Sequence, residues 1–298
     1  MKVLHPIVVT DSVLTASSIP ETDHAEWSAA TAYAADQYVI RTAVHKVFRA
    51  LRSSTGKTPE TSPDDWQDMG ATNRWAAFDR KVGTKSTATT SMSFTLTPGL
   101  INSIGLVGCD AATVQVVMTD PTHGEVFNRT YSMAREISES SYWTYFFEPR
   151  GRKTTLIIEN LPTSRNPSVV VTLTVPTGQP VSLGALLIGR TYTYARAALA
   201  GASVGLRDFS RKGRDDFGNW EIVERTWSRR AEWDFILKNT DMDNYVERMA
   251  ALRSTPALFI GGPYDTTALY GFYLDTQVVI EYPQHSECRI EIEGLEED

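Results

Sequence analysis

Ser91-Met-Ser-Phe-Thr-Leu-Thr97 alternates polar and apolar residues and stops at Pro98-Gly99. A period of two with a turn at its end predicts a half-buried strand, since successive side chains of a strand point to opposite faces. The same signal recurs downstream. Ile101 to Val107, Thr113 to Met118, Glu125 to Ser132, Tyr142 to Phe147, Thr154 to Glu159, Ser168 to Val175 and Val181 to Ile188 read as strands, with Cys109-Asp110 between the first two. Short strands at this spacing predict an antiparallel β-sandwich or jelly roll over residues 73–200. No stretch there keeps a helical period over three turns.

Working outward, residues 27–72 have a separate character. Trp27 to Tyr33, Gln37 to Arg41 and His45 to Leu51 carry the aromatics and short alternating runs, Ser53 to Pro59 is rich in turn residues, and the unit closes at Pro63-Asp-Asp-Trp66. About forty residues bury little area, so the aromatics must form a mini-core. Residues 1–26 read as an N-terminal arm. In residues 201–298, Glu221 to Ser228 and Arg229 to Leu237 read as a strand pair. Thr240 is placed to cap a helix, with Asp243 three residues on. Tyr245, Met249 and Leu252 fall on one helical face with Val246 beside it, and Pro256 stops the helix. Ala257 to Ile260, Leu269 to Leu274, Thr276 to Glu281 and Cys288 to Ile292 read as strands, which makes this unit a sheet with one packed helix. The expected fold class is mainly β and multi-domain, ending in an α+β unit.

The 298 residues are enough for two or three cores, and 42% hydrophobic with 22% charged residues is ordinary for a globular protein. The net charge of −7 supplies no global basic field, so nucleic acid is not an expected partner. Runs of basic residues, Arg211-Lys-Gly-Arg214 and Arg225 to Arg230, are interleaved with Asp215, Asp216, Glu221, Glu224, Glu232 and Asp234 and read as mixed ionic surfaces. No apolar run near either end is long enough to span a bilayer, and Met1 to Pro20 does not read as a leader, so synthesis in the cytoplasm without an export signal is expected. Cys109 and Cys288 read as two reduced, buried thiols.

The chemical motifs are sparse. Gly201-Ala-Ser203-Val-Gly205 matches the nucleophile-elbow pattern, but that motif needs a strand before it and a helix after it, and Leu206 to Arg214 has no amphipathic helical pattern. It reads as a small-residue linker. The histidines, His5, His24, His45, His123 and His285, are not at metal-ligand spacing. Asp241-Met-Asp243-Asn begins like a calcium loop but has Tyr245 where the next ligand would stand and lacks the central glycine. Asp64-Asp65 and Asp215-Asp216 are adjacent pairs, which a strand would turn to opposite faces. Neither an enzyme site nor a metal or cofactor is expected.

Residues 27–66 resemble the small chitin-binding modules of carbohydrate-active enzymes. The likeness rests on Trp27, Tyr33, Asp36-Gln-Tyr-Val39, Phe48-Arg-Ala50, Gly56, Pro59 and Trp66. Ala35 stands where that family has a turn glycine, and Leu51 and Arg52 stand where it has its sugar-stacking aromatic pair. The resemblance implies Trp27, Tyr33, Tyr38 and Trp66 as candidate carbohydrate-binding residues. The rest of the chain resembles minor tail and tail-tip proteins of long-tailed bacteriophages. That likeness is carried by Asn73-Arg-Trp-Ala-Ala-Phe-Asp79, Val181 to Gly189, Gly205-Leu-Arg-Asp-Phe-Ser-Arg211, Pro256-Ala-Leu-Phe-Ile260 and Leu269-Tyr-Gly271. It implies a galactose-binding-like jelly roll in the middle and a tail-ring-like α+β unit at the end. It further implies a structural virion protein of the tail tip or baseplate, whose partners are other copies in a homo-oligomeric ring and tail proteins such as tube and hub. The alternative it leaves is an adhesin that recognises a host surface glycan.

Overall fold

The computed structural model describes residues 1–135, 151–196, 198–199, 201–214 and 217–295, and the chain is mainly β with a curled antiparallel sheet. The stretch Tyr142 to Phe147 lies outside the described residues.

Most of the strands read from alternation are present. β1 (Lys2–Pro6) and β2 (Leu14–Ser17) come first. Residues 27–72 hold β3 (Ala32–Tyr33), β4 (Tyr38–Arg41), β5 (Lys46–Ala50), β6 (Ser54–Thr55) and β7 (Trp66–Ala71). Then come β8 (Ser86–Thr89), β9 (Ser91–Leu96), β10 (Ser103–Asp110), β11 (Thr113–Asp120), β12 (Gly124–Ser132), β13 (Leu156–Ile158), β14 (Ser168–Thr174) and β15 (Pro180–Thr193). The sheet β12-β11-β14-β9-β2 faces the end of the main sheet formed by β13, β10, β15 and β8. Met92, Phe94 and Leu96 of β9 point inward with Val114, Val116 and Met118 of β11 and Val169, Val171 and Leu173 of β14. Across from them stand Ile104 and Leu106 of β10 and Val181, Leu183, Leu186 and Ile188 of β15. The arrangement is sandwich-like.

β15 explains an exception to alternation. Leu183-Gly-Ala-Leu-Leu-Ile188 is a continuous apolar run because both of its faces are covered. Leu183, Leu186 and Ile188 face the sandwich, while Ala185 and Leu187 meet Leu4, Val82, Val107, Leu258 and Tyr270 on the other side. β10 pairs with β15 along most of its length, and the opposite edge is shared, β8 taking residues 180–183 and β1 taking residues 189–193.

The stretch 1–26, expected as an arm, supplies an interior strand of the main sheet. β1 lies between β15 and β20 (Ala257–Ile260), both antiparallel to it. Val3 faces one core and Leu4 the other, so β1 is buried on both sides. The main sheet therefore continues past residue 200 in the order β13-β10-β15-β1-β20-β21-β22-β19-β16. Here β16 is Ser203–Asp208, β19 is Trp227–Lys238, β21 is Ala268–Val279 and β22 is His285–Gly294.

The α-helix found among the described residues, α1 (Met242–Ala251), covers one face of this far part of the sheet. Tyr245, Met249 and Leu252 pack on Trp233, Phe235, Cys288 and Ile290. Three details differ from the sequence reading. Asp241 occupies the cap position without a side-chain cap bond, because a 3₁₀ turn, Asn239–Asp241, carries Thr240 away from it. Val246 is exposed. Leu269 to Leu274 and Thr276 to Glu281 belong largely to one strand, β21, with an irregularity between Tyr273 and Asp275. Truncating Leu252 to alanine is expected to cost about 2–5 kcal/mol, the range for a buried leucine. A urea titration that moves by less than about 0.5 kcal/mol would mean that this face does not hold the helix.

Candidate functional site

The far edge of the main sheet carries an uncovered arm. β19 pairs with β22 only from Arg230 onward, so among the described residues its first residues have β16 as their one strand neighbour. The ribbon formed by β16 and β19 continues outward. Phe209 N–H donates to the Thr226 carbonyl at 3.2 Å, and beyond it β17 (Arg211–Arg214) pairs with β18 (Trp220–Val223). The expected pair of Glu221 to Ser228 with Arg229 to Leu237 is thereby corrected. Trp227–Lys238 is one strand, and β18 folds back on β17 instead.

Polar contacts fix the joint of this arm. Asp208 accepts from Lys212 Nζ at 2.6 Å and from the Ser210 N–H at 2.8 Å, which holds its carboxyl well below the usual carboxylate range. Ser210 Oγ accepts from the Arg225 N–H at 3.1 Å. The surface beyond is apolar where a solvent-facing hairpin needs no apolar groups. Trp220 and Ile222 lie opposite Arg214 and Lys212, and directly opposed residues share a face. Trp220 is 63% exposed, Ile222 64%, Leu206 on β16 73% and Phe217 at the tip 90%. The Arg214 guanidinium sits 4.5 Å from the Trp220 ring. The sequence pattern shows the charges, a small-residue linker at residues 201–205 and a strand from Glu221 here, but not this surface. The missed signal was four large apolar residues, Phe217, Trp220, Ile222 and Val223, inside a charged, glycine-bearing run. Further in, the outer face of the sheet is ionic as expected, with Arg230 on Glu291, Arg289 on Glu232, and Arg207 on Glu293 at 2.7 Å.

The four candidate carbohydrate residues have other occupations. Tyr33 and Trp66 are buried in a mini-core with Val39, Phe48 and Ala50. Tyr33 Oη accepts from the Ser28 N–H at 2.7 Å, and Trp66 Nε1 donates to the Lys57 carbonyl at 3.0 Å. Trp27 is partly buried against the same core, with Arg41 5.0 Å from its ring. Tyr38 is exposed, but His24 stacks on it at 5.2 Å. Leu51 is exposed, and Arg52 Nε donates to Asp65 at 2.5 Å.

Ser203 opens the exposed edge strand β16, and the residues after it continue as strand, so the strand–turn–helix geometry of an elbow does not surround it. Asp215-Asp216 lies outside the described residues. Cys109 and Cys288 are free and buried, and burial pushes the Cys109 thiol up to about 12. Among the described residues no group of three or more His, Cys, Asp or Glu is placed to hold a metal ion, and no helix is long and apolar enough to cross a membrane. Compared with family models, curated proteins and solved structures, the chain matches none of them.

Proposed function

We propose that this protein is a structural component of a bacteriophage tail tip or baseplate, assembling through its arm as an oligomeric ring at the distal end of the tail. The observation that carries the reading is the exposed apolar surface of residues 203–223. A two-stranded ribbon standing alone is marginal in water, and β17 and β18 pair only with each other among the described residues. Exposed phenylalanine, tryptophan, leucine and isoleucine each gain about 1.5–3 kcal/mol when a partner covers them. An arm that leaves its own sheet and docks on a different surface of the next copy makes a heterologous contact, and repetition of that contact builds a ring when its rotation closes. Among the described residues no strand pairs with the outer edge of β16, which adds its backbone groups to the same surface. In this reading the middle sandwich is a galactose-binding-like jelly roll, the last unit is tail-ring-like, residues 27–72 keep a chitin-binding-like fold, and the protein's place is the virion tail. The adhesin alternative draws little support from Trp27, Tyr33, Tyr38 and Trp66, whose faces are occupied within the chain.

The test is self-association of the full chain. Sedimentation velocity is expected to show a discrete oligomer, and the double variant Trp220→Ser/Ile222→Ser is expected to weaken it at least about a hundredfold, since a hot-spot tryptophan carries about 2 kcal/mol or more and a covered isoleucine about 1.5–3 kcal/mol. An oligomer of unchanged strength in the variant would remove the arm from the contact.

A further inference from the structure

The joint between residues 27–72 and the rest of the chain is a cleft of about 780 Å³. Val9 to Asp11 form one wall, the β4–β5 turn and the end of β7 another, and Trp75 and Phe78 lie at its base. His45 ends the β4–β5 turn with a φ of +55°, in the left-handed region that few side chains other than glycine adopt. Its ring stacks on the Trp75 indole with centroids 4.0 Å apart. Both ring nitrogens face carboxylates. Nδ1 is 3.0 Å from Glu21 Oε1, and Nε2 is 3.1 Å from Asp11 Oδ1.

We infer that His45 is a proton-operated latch that ties the Asp11 turn to the β4–β5 turn. A carboxylate can only accept, so both contacts are hydrogen bonds only while both nitrogens carry protons. A neutral imidazole has one N–H, and its other nitrogen then turns a lone pair toward a carboxylate. The structure decides which contact is given up. Glu21 is only 11% exposed and also accepts from Thr72 Oγ1 at 2.9 Å, whereas Asp11 is 79% exposed. The remaining proton stays on Nδ1, facing Glu21, and the Asp11 turn is released, widening the cleft at its rim. Both contacts need the doubly protonated ring, so the latch closes in acid and opens as pH rises. Lys81 also lines the cleft, and the carboxylates near it and Lys46 have other partners. Lys46 Nζ meets Asp68 at 2.5 Å, Asp79 accepts from Thr84 Oγ1 at 2.5 Å and from the Lys81 N–H at 2.9 Å, and Asp23 accepts from the Asn73 N–H at 2.8 Å.

Amide hydrogen exchange on the full chain tests this. The Val13 and Leu14 N–H groups donate to the Thr10 carbonyl at 2.8 and 2.9 Å and report the Asp11 turn. The Thr72 N–H donates to the His45 carbonyl at 2.9 Å and reports the side that stays closed. With exchange corrected for its intrinsic pH dependence, protection at Val13 and Leu14 is expected to fall about two- to fivefold as pH is raised from about 5 to 8, what loss of one largely exposed charge pair amounts to. Thr72 is expected to keep its protection. In Asp11→Asn and in His45→Gln the profile at Val13 and Leu14 is expected to be flat, and Asp11→Asn, altering an exposed residue, keeps the test open should His45→Gln fold poorly. A flat wild-type profile, an unchanged fall in Asp11→Asn, or a parallel fall at Thr72 would each overturn the assignment.

Discussion

Replacing Gly189 with alanine is expected to destabilise the protein by more than about 3 kcal/mol, above the usual cost of overpacking. Gly189 lies in β15 opposite Pro6 of β1 on one side and Ser103 of β10 on the other. A Cβ there would fall on the His5 carbonyl oxygen and lie 3.1 Å from the Pro6 Cα. Both neighbours are backbone, so no flexible side chain can move aside, and relief requires β1 to shift. β1 also carries Val3, with Met1 just before the strand, into the helix-side core and Leu4 into the opposite one. Uncovering each such side chain costs about 1.5–3 kcal/mol. Gly83→Ala is the control, since a Cβ there meets nothing within 4 Å. Urea titrations of both variants measure the difference. A Gly189→Ala protein within about 1 kcal/mol of the parent would mean that β1 is not the strand joining the two parts of the sheet.

Truncation of Trp233 is the second large effect. Trp233 is fully buried at the middle of β19, and a Cβ on Gly261 would come within 2.7 Å of its indole, so the glycine leaves room for the ring. Trp233→Ala is expected to cost about 3–5 kcal/mol. Among the described residues the indole N–H has no hydrogen-bond partner. A buried unpaired donor is itself unfavourable by about 1–3 kcal/mol, so Trp233→Phe removes a cost together with some packing. Its loss is expected to be less than half that of Trp233→Ala. Equal losses in thermal or urea denaturation would mean that the N–H is satisfied and the packing account is incomplete.

What could be read from sequence divides along physical lines. β9, β11 and β14 were legible because one face of each is buried and the other is less so, which writes a period of two into residues 91–96, 113–120 and 168–174. The helix was legible from Tyr245, Met249 and Leu252, although its start was not, because a 3₁₀ turn shifts the cap by one residue. β1 was hidden because its partners lie about 190 and 255 residues away, and a five-residue strand states nothing about distant pairing. The pairing of 203–238 was misread for a related reason. Alternation over Trp227–Lys238 fits many registers, and pairing with β16 on one side and β22 on the other selects one. At the site, the charges of the arm stood out in the sequence, while the exposure of Trp220 and Ile222 is a property of where the sheet ends. His45 was seen as an isolated histidine because Glu21 and Asp11 reach it only through the fold.

We propose that copies of this chain join through the arm into a closed ring. Electron micrographs of the purified full-length protein, alone and mixed with tail tube proteins, test it most directly. The account predicts closed rings of a single rotational order, with the arm of each copy lying on its neighbour, and their loss in Trp220→Ser/Ile222→Ser. Isolated single copies in both preparations, or rings that persist unchanged in the double variant, would contradict it.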